Sequence, residues 1–299
     1  MTPARLPLAS GRLFWNRRDG TLVTGLPLNR RAMPYVMSSR PQSAFYFSYD
    51  VRLTKTEAFL REFNARYPET PADVLHVALF ALRDVYIRYP SLNRFVAGGR
   101  IYDRNEILLS YSSRHAPVSG APAATIKRCF DPRESFEAMV ADMHDDLHCA
   151  EPRPTGITRV AERVMRAPGV VRRLAFGSVR LGNAFGLLPR SYTDGDPLFT
   201  SAYLTDLTRT GLPHGYAHLH EHGTCTVVCV LGTPRVDPTR GHRVLPVTFT
   251  FDERTEDGLV SWFGLKHFQR VLEDPCGAGL AGLDAFEQSP DARSSVSAD

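Results

Sequence analysis

Two short stretches of this chain carry side chains able to move protons. In Pro213–Gly223, four histidines crowd together: His214, His218, His220 and His222. On an extended chain alternate residues share a face, so His218, His220 and His222 would project together. Such imidazoles can pass a proton at neutral pH, bind zinc as a Lewis acid or water activator, or line a polar interface. The spacing lacks a fourth ligand, and no metal is expected. The second stretch is Asp252-Glu253-Arg254-Thr255-Glu256-Asp257-Gly258. A glutamate with a reference pKa of about 4.3 is a weak base toward a thiol of about 8.5, unless burial raises it by roughly two to three units. The chain has no glycine-rich phosphate loop, Gly-x-Ser-x-Gly elbow or His-Glu-x-x-His, which disfavours nucleotide hydrolases, serine esterases and zincin-type proteases. Five cysteines, without zinc spacing, are expected to be reduced and mostly buried.

The elements that must position these groups alternate along the chain. Hydrophobic residues make up 43% and charged residues 23% of 299, the balance of an ordinary globular protein. Alternation over Ala44–Arg52 predicts a strand, and Thr54-Lys55-Thr56-Glu57 predicts a capping box opening a helix. A second helix is expected from Pro71 to Tyr89, and a third from Asp131 with Phe136, Met139, Val140, Met143 and Leu147 inward. Strands are expected over 105–112, 124–130, 198–207, 214–231 and 243–251, and a closing helix over 259–272. The pattern is one α/β domain with a mixed sheet flanked by helices. Its boundaries are placed at 25–276, after an N-terminal extension at 1–24 and before a flexible tail at 277–299. A helical insertion occupies about 152–195.

The order of segments resembles the catalytic domain of the dihydrolipoyl acyltransferases of 2-oxo acid dehydrogenase complexes and, more distantly, chloramphenicol acetyltransferase. The resemblance rests on Pro27–Met33, the aromatic strand Phe45–Val51, Tyr89–Asn93, Phe199–Leu207, Cys225–Gly232 and Asp252–Gly258. It implies a chloramphenicol acetyltransferase-like fold assembled as a homotrimer or higher assembly of trimers. It further implies an active-site channel between subunits, with a coenzyme A or pantetheine thioester as co-substrate. In that family a histidine of an Asp-His-Arg-x-x-Asp-Gly motif is the base. Here Glu253 stands in its place: it pairs with Arg254 or another arginine, or is itself a base raised by burial, or the base comes from elsewhere, with His220 and His222 the candidates. The resemblance also implies Thr205 as the hydroxyl that stabilises the oxyanion, with Ser201 and Thr208 as the alternative candidates. Asp257, at the start of the last helix, would pair with Arg30 or Arg31 and cap free amides. Two functions follow: an acyltransferase acting on an unknown thiol, hydroxyl or amine, or a non-catalytic trimeric paralogue serving as binding or scaffold protein.

Charge is unevenly spread. Lys+Arg 36 less Asp+Glu 32 gives +4. Between Pro152 and Thr193, however, lie Arg153, Arg159, Arg163, Arg166, Arg172, Arg173, Arg180 and Arg190 with Glu162 as sole acid. Apolar residues interleave with these arginines, and Ala167-Pro168-Gly169 interrupts them, which predicts a basic amphipathic helical hairpin. It would pack on its own domain or a sister subunit, meet an acyl-carrier or other acidic partner, or lie on a membrane surface. A nucleic-acid role is not expected, since no aromatic-interleaved basic platform is present. No apolar run is long enough for a transmembrane segment, and the first residues lack a signal-peptide stretch, so a cytoplasmic location is expected.

Overall fold

Along Ala44–Arg52 (β2), Phe45, Phe47, Tyr49 and Val51 turn to one face, where they join the main apolar core. The same alternation repeats on each strand beside it. The computed structural model describes residues 17–113, 124–149 and 162–278. The elements preceding the main sheet are β1 (Gly20–Leu22) and α1 (Leu28–Val36). After β2 come α2 (Thr54–Arg66), α3 (Val74–Arg88), β3 (Arg94–Ala97) and β4 (Arg100–Arg104). Then follow β5 (Ile107–Ser113), β6 (Ala124–Phe130), α4 (Phe136–Cys149), α5 (Gly169–Ala184) and α6 (Arg190–Gly195). The chain continues through β7 (Ala202–Asp206), β8 (Val227–Leu231), β9 (Arg235–Val236), β10 (Arg243–Asp252) and α7 (Gly258–Glu273).

The main sheet is mixed, in the order β2-β10-β8-β7-β5-β6, with β9 on the edge of β10. β7 runs parallel to both β5 and β8, and the remaining pairs are antiparallel. Val227, Cys229 and Leu231, with Val247, Phe249 and Phe251, carry the apolar face across to Leu109 and Tyr111. Helices α2, α3, α4 and α7 cover it. Phe268 of α7 meets Phe249 edge-on at 5.1 Å, and Phe136 of α4 packs against Phe59, Phe63 and Phe80.

The opposite face is polar and partly open. Thr248 and Thr250 donate their hydroxyls to the carbonyls of Gly215 and Ala217 at 2.6 and 2.8 Å. They hold residues 211–222 across the sheet without a ladder. The expected long strand from His214 is therefore confined to Val227–Leu231. A second sheet, β1-β4-β3, was not predicted.

Other boundaries differ for local reasons. α2 begins after Leu53 with no side-chain cap, so the expected capping box is not formed. α3 takes Asp73 as its cap, in a reciprocal box with His76, and Pro71 lies ahead of the helix. Of the four cysteines whose side chains are described, Cys225 and Cys229 are buried and Cys129 and Cys276 exposed. The first arm of the expected hairpin falls largely on 150–161 and the tail on 279–299, outside the described residues.

Gly223 ends the cross-sheet segment at φ +84°, and a Cβ there would sit 2.2 Å from the carbonyl oxygen of Leu198. Gly223→Ala is expected to cost more than about 1 kcal/mol, seen as a lower urea midpoint at unchanged slope.

Candidate functional site

The turn after β10 is built on a buried ion pair. Arg254 clasps Asp252 with both guanidinium edges, Nε to Oδ1 and Nη2 to Oδ2, each at 2.8 Å. The Ser43 hydroxyl donates to the same carboxylate at 2.8 Å. Arg40, only 4% exposed, lies beside it with Nε 3.9 Å from Asp252 Oδ2. Burial pulls the Arg40 guanidinium below its ordinary range, and the Asp252 charge works against that.

The other donors of Arg40 reach across the molecule. Nη1 meets the carbonyls of His220 and Glu221 at 2.9 and 2.8 Å, and Nη2 meets that of Gly223 at 2.9 Å. Its backbone amide also bonds the Glu221 carboxylate. One side chain thus fastens the histidine-rich segment to the Glu253 turn. Glu253 is half-buried, and its backbone is committed at both ends. Its amide donates to Ser43 O at 3.0 Å, and its carbonyl accepts from Arg30 Nη2 at 3.0 Å.

His222 faces Asp196, Nε2 to Oδ2 at 2.6 Å, with the rings of Tyr192 and Phe199 edge-on to the imidazole. Burial pushes the Asp196 carboxyl up, but the His222 hydrogen bond and the Leu198 amide outweigh it and leave the group below 3.8. An ionised carboxylate only accepts, so Nε2 carries the proton and Nδ1 is the basic nitrogen of the neutral ring. The His222 side chain retains 31% exposure.

Phe199 also walls a cavity of about 300 Å³, lined further by Arg104, Lys127, Asp19, Leu108 and Leu188. The Lys127 ammonium bonds the carbonyls of Thr193 and Asp196, and burial lowers its pKa to about 8. Arg104 lies over the Phe95 ring and donates to the carbonyls of Thr200 and Thr224, and burial lowers it to about 10.

The structure therefore gathers Glu253, His220 and His222 at one end of the sheet. His218 and His220 expose their side chains, and among the described residues no three His, Cys, Asp or Glu converge as metal ligands. Thr205 is elsewhere. It is level with Val230 on β8, which pairs with Thr248 on β10. Five residues separate that level from Glu253, about 16 Å along a strand. Ser201 is committed to the Leu108 amide, and Thr208 to Asp206.

The expected pairing of Asp257 with Arg30 or Arg31 is not made. Asp257 is exposed and accepts from the amides of Leu259 and Val260 at 3.0 Å, as a helix cap. Its place as the buried acid is taken by Asp252, with Arg254 and Arg40 as its cations. Arg40 and Asp196 escaped the sequence reading because their partners His220 and His222 lie 180 and 26 positions away, respectively.

These elements define the fold of acyltransferase catalytic domains. A probable dihydrolipoamide acetyltransferase from Listeria monocytogenes is similar at a TM-score of 0.51 and 12% identity, over 84% of this chain and 94% of that one. The dihydrolipoamide acetyltransferase of Azotobacter vinelandii gives 0.52 at 12% identity, over 86% and 94%. The cubic core of the pyruvate dehydrogenase multienzyme complex gives 0.52 at 12%, over 91% and 99%. What is shared at these identities is the fold. No sequence-family model matches the chain, and no curated protein sequence does.

Asp252→Ala is expected to cost about 3 to 5 kcal/mol, because it strands Arg254 and Arg40 in the interior. Asp257→Ala should cost about 1 kcal/mol, the loss of one cap. Chemical denaturation of the two variants checks the order, and equal costs would contradict it.

Asp196 adds a pH signature. Its folded pKa is lowered, so its stabilisation is present above 3.8 and disappears as pH falls through the lower folded value. Asp196→Asn should therefore flatten the acid limb of the stability curve below about pH 4, measured by melting temperature against pH.

Proposed function

We propose that this chain is an acyltransferase, moving an acyl group between a coenzyme A or pantetheine thioester and a thiol, hydroxyl or amine, with His222 as base. The fold supports the reaction class. The observation that carries the base is the 2.6 Å pair of His222 with Asp196. Asp196 fixes the ring and stabilises the imidazolium, while Nδ1 takes the acceptor's proton. The acceptor attacks the thioester carbonyl, the tetrahedral oxyanion collapses, and the thiolate leaves with the proton returned from His222. The cavity beside Phe199 is at the small end of the range for a bound molecule, and its lining mixes cations, Arg104 and Lys127 among them, with the acids Asp19, Glu106 and Asp194. Thr205 stands too far along the sheet to serve the same copy's Glu253 or His222. Its use as oxyanion donor requires a second copy, in keeping with the trimer and inter-subunit channel that the resemblance implies.

Glu253 in the place of the motif histidine favours a second reading, the non-catalytic paralogue. One assay separates the two readings: release of free thiol from a panel of coenzyme A thioesters, with native, His222→Gln, Asp196→Asn and Glu253→Gln proteins. His222→Gln should lower the rate about 100- to 10,000-fold, Asp196→Asn should follow it, and Glu253→Gln should stay within about threefold. A collapse confined to Glu253→Gln would place the base there. No transfer by the native protein from any thioester would favour the binding or scaffold role.

A further inference from the structure

Helix α5 projects from the domain with none of its residues buried. Its sixteen residues extend about 24 Å. Among the described residues, the side-chain bonds that tie it to the domain are in its last turn: Arg17 bonds the Asn183 side chain at 2.9 Å, and Asn183 reaches Gly223 O at 3.3 Å. Gly98 lies against the backbone of Ala184, and Gly186 at φ +68° stops the helix.

Beyond that anchor the helix has two faces. At 100° per residue, Val170, Leu174, Leu181 and Phe185 fall on one stripe, with Val171 at its margin. They are 70%, 68%, 61% and 69% exposed, and Val171 47%. Arg173 and Arg180 border the stripe, Arg172 lies behind it, and Arg163 and Arg166 precede it in the helical residues 162–166. All five arginines are exposed. From Arg163 to Thr193 there is no acid.

We propose that α5 lies in the interface of an anionic lipid bilayer, its Val170–Leu174–Leu181–Phe185 stripe in the acyl boundary and its arginines on lipid phosphates. The charge decides among occupants. A second copy docked helix to helix would bring ten like charges together. An apolar stripe with Arg173 and Arg180 along one edge, and no acid anywhere on the helix, matches a surface that is apolar at depth and negative above it. Arginine stems can lie along the acyl boundary while their guanidinium groups remain at the phosphates. Such seating needs no spanning element, and among the described residues no helix is long and apolar enough to cross a membrane.

The test uses the full chain and two sets of vesicles: phosphatidylcholine alone, and phosphatidylcholine with about one third phosphatidylglycerol. Co-sedimentation with the anionic vesicles is expected, weakened by high salt, with little on the neutral ones. Leu174→Ser with Leu181→Ser, and separately Arg172→Glu with Arg173→Glu and Arg180→Glu, should each cut binding about tenfold or more at unchanged melting temperature. Leu181→Trp should shift its emission to the blue on anionic vesicles only. Equal binding to both vesicle sets, no binding, or binding indifferent to the serine pair would overturn the proposal. So would serine variants that change the sedimenting mass of the protein, since the stripe would then be a protein interface. Retention on an acidic carrier protein but not on vesicles would assign the arginines to that partner instead.

Discussion

A single buried guanidinium holds this molecule's working end together. Arg40 spends its donors on carbonyls of His220, Glu221 and Gly223 while its charge rests beside Asp252. The segment it gathers has no ladder of its own, so these bonds and the hydroxyls of Thr248 and Thr250 set its path. Asp252 is held in turn by Arg254 and Ser43. A buried charge cluster of this kind adds little net stability but makes alternative arrangements expensive, because any of them leaves a charge unpaired. Its contribution here is to fix where residues 220–223 lie relative to the Glu253 turn.

The parts legible in the sequence are those governed by a local period. The strand Ala44–Arg52 and the closing helix near 259–272 follow from alternation and from a helical stripe under an aspartate cap. The small sheet was opaque because its strands carry Arg94, Arg100 and Arg104, which read as surface. Arg104 is in fact buried over Phe95, its charge satisfied by carbonyls from Thr200 and Thr224. The stretch His214–Thr226 has the alternation of a strand, yet the hydroxyls that capture its carbonyls belong to β10. No local pattern announces such a partner.

The acidic motif shows the same limit more sharply. Asp252 and Asp257 belong to one short turn, and from sequence either can be the buried acid. The choice is made by β10, whose last residue is carried under Arg40 while Asp257 emerges at the start of α7. The sequence-based pairing named the right kind of interaction, an aspartate of this motif with arginine. It placed it five residues late on the acid and about ten residues early on the base.

That geometry involves residue 253 through its backbone. Its amide and carbonyl are both tied, to Ser43 and Arg30, by bonds that any side chain would permit. The turn therefore depends on Asp252 and Arg254 and is indifferent to what stands between them. A histidine could be exchanged for glutamate here without loss of fold, so retention of the fold carries no information about the base. The imidazole paired with Asp196 lies in the segment that Arg40 ties to this same turn. Glu253 and His222, the two candidate bases, therefore lie at one end of one sheet.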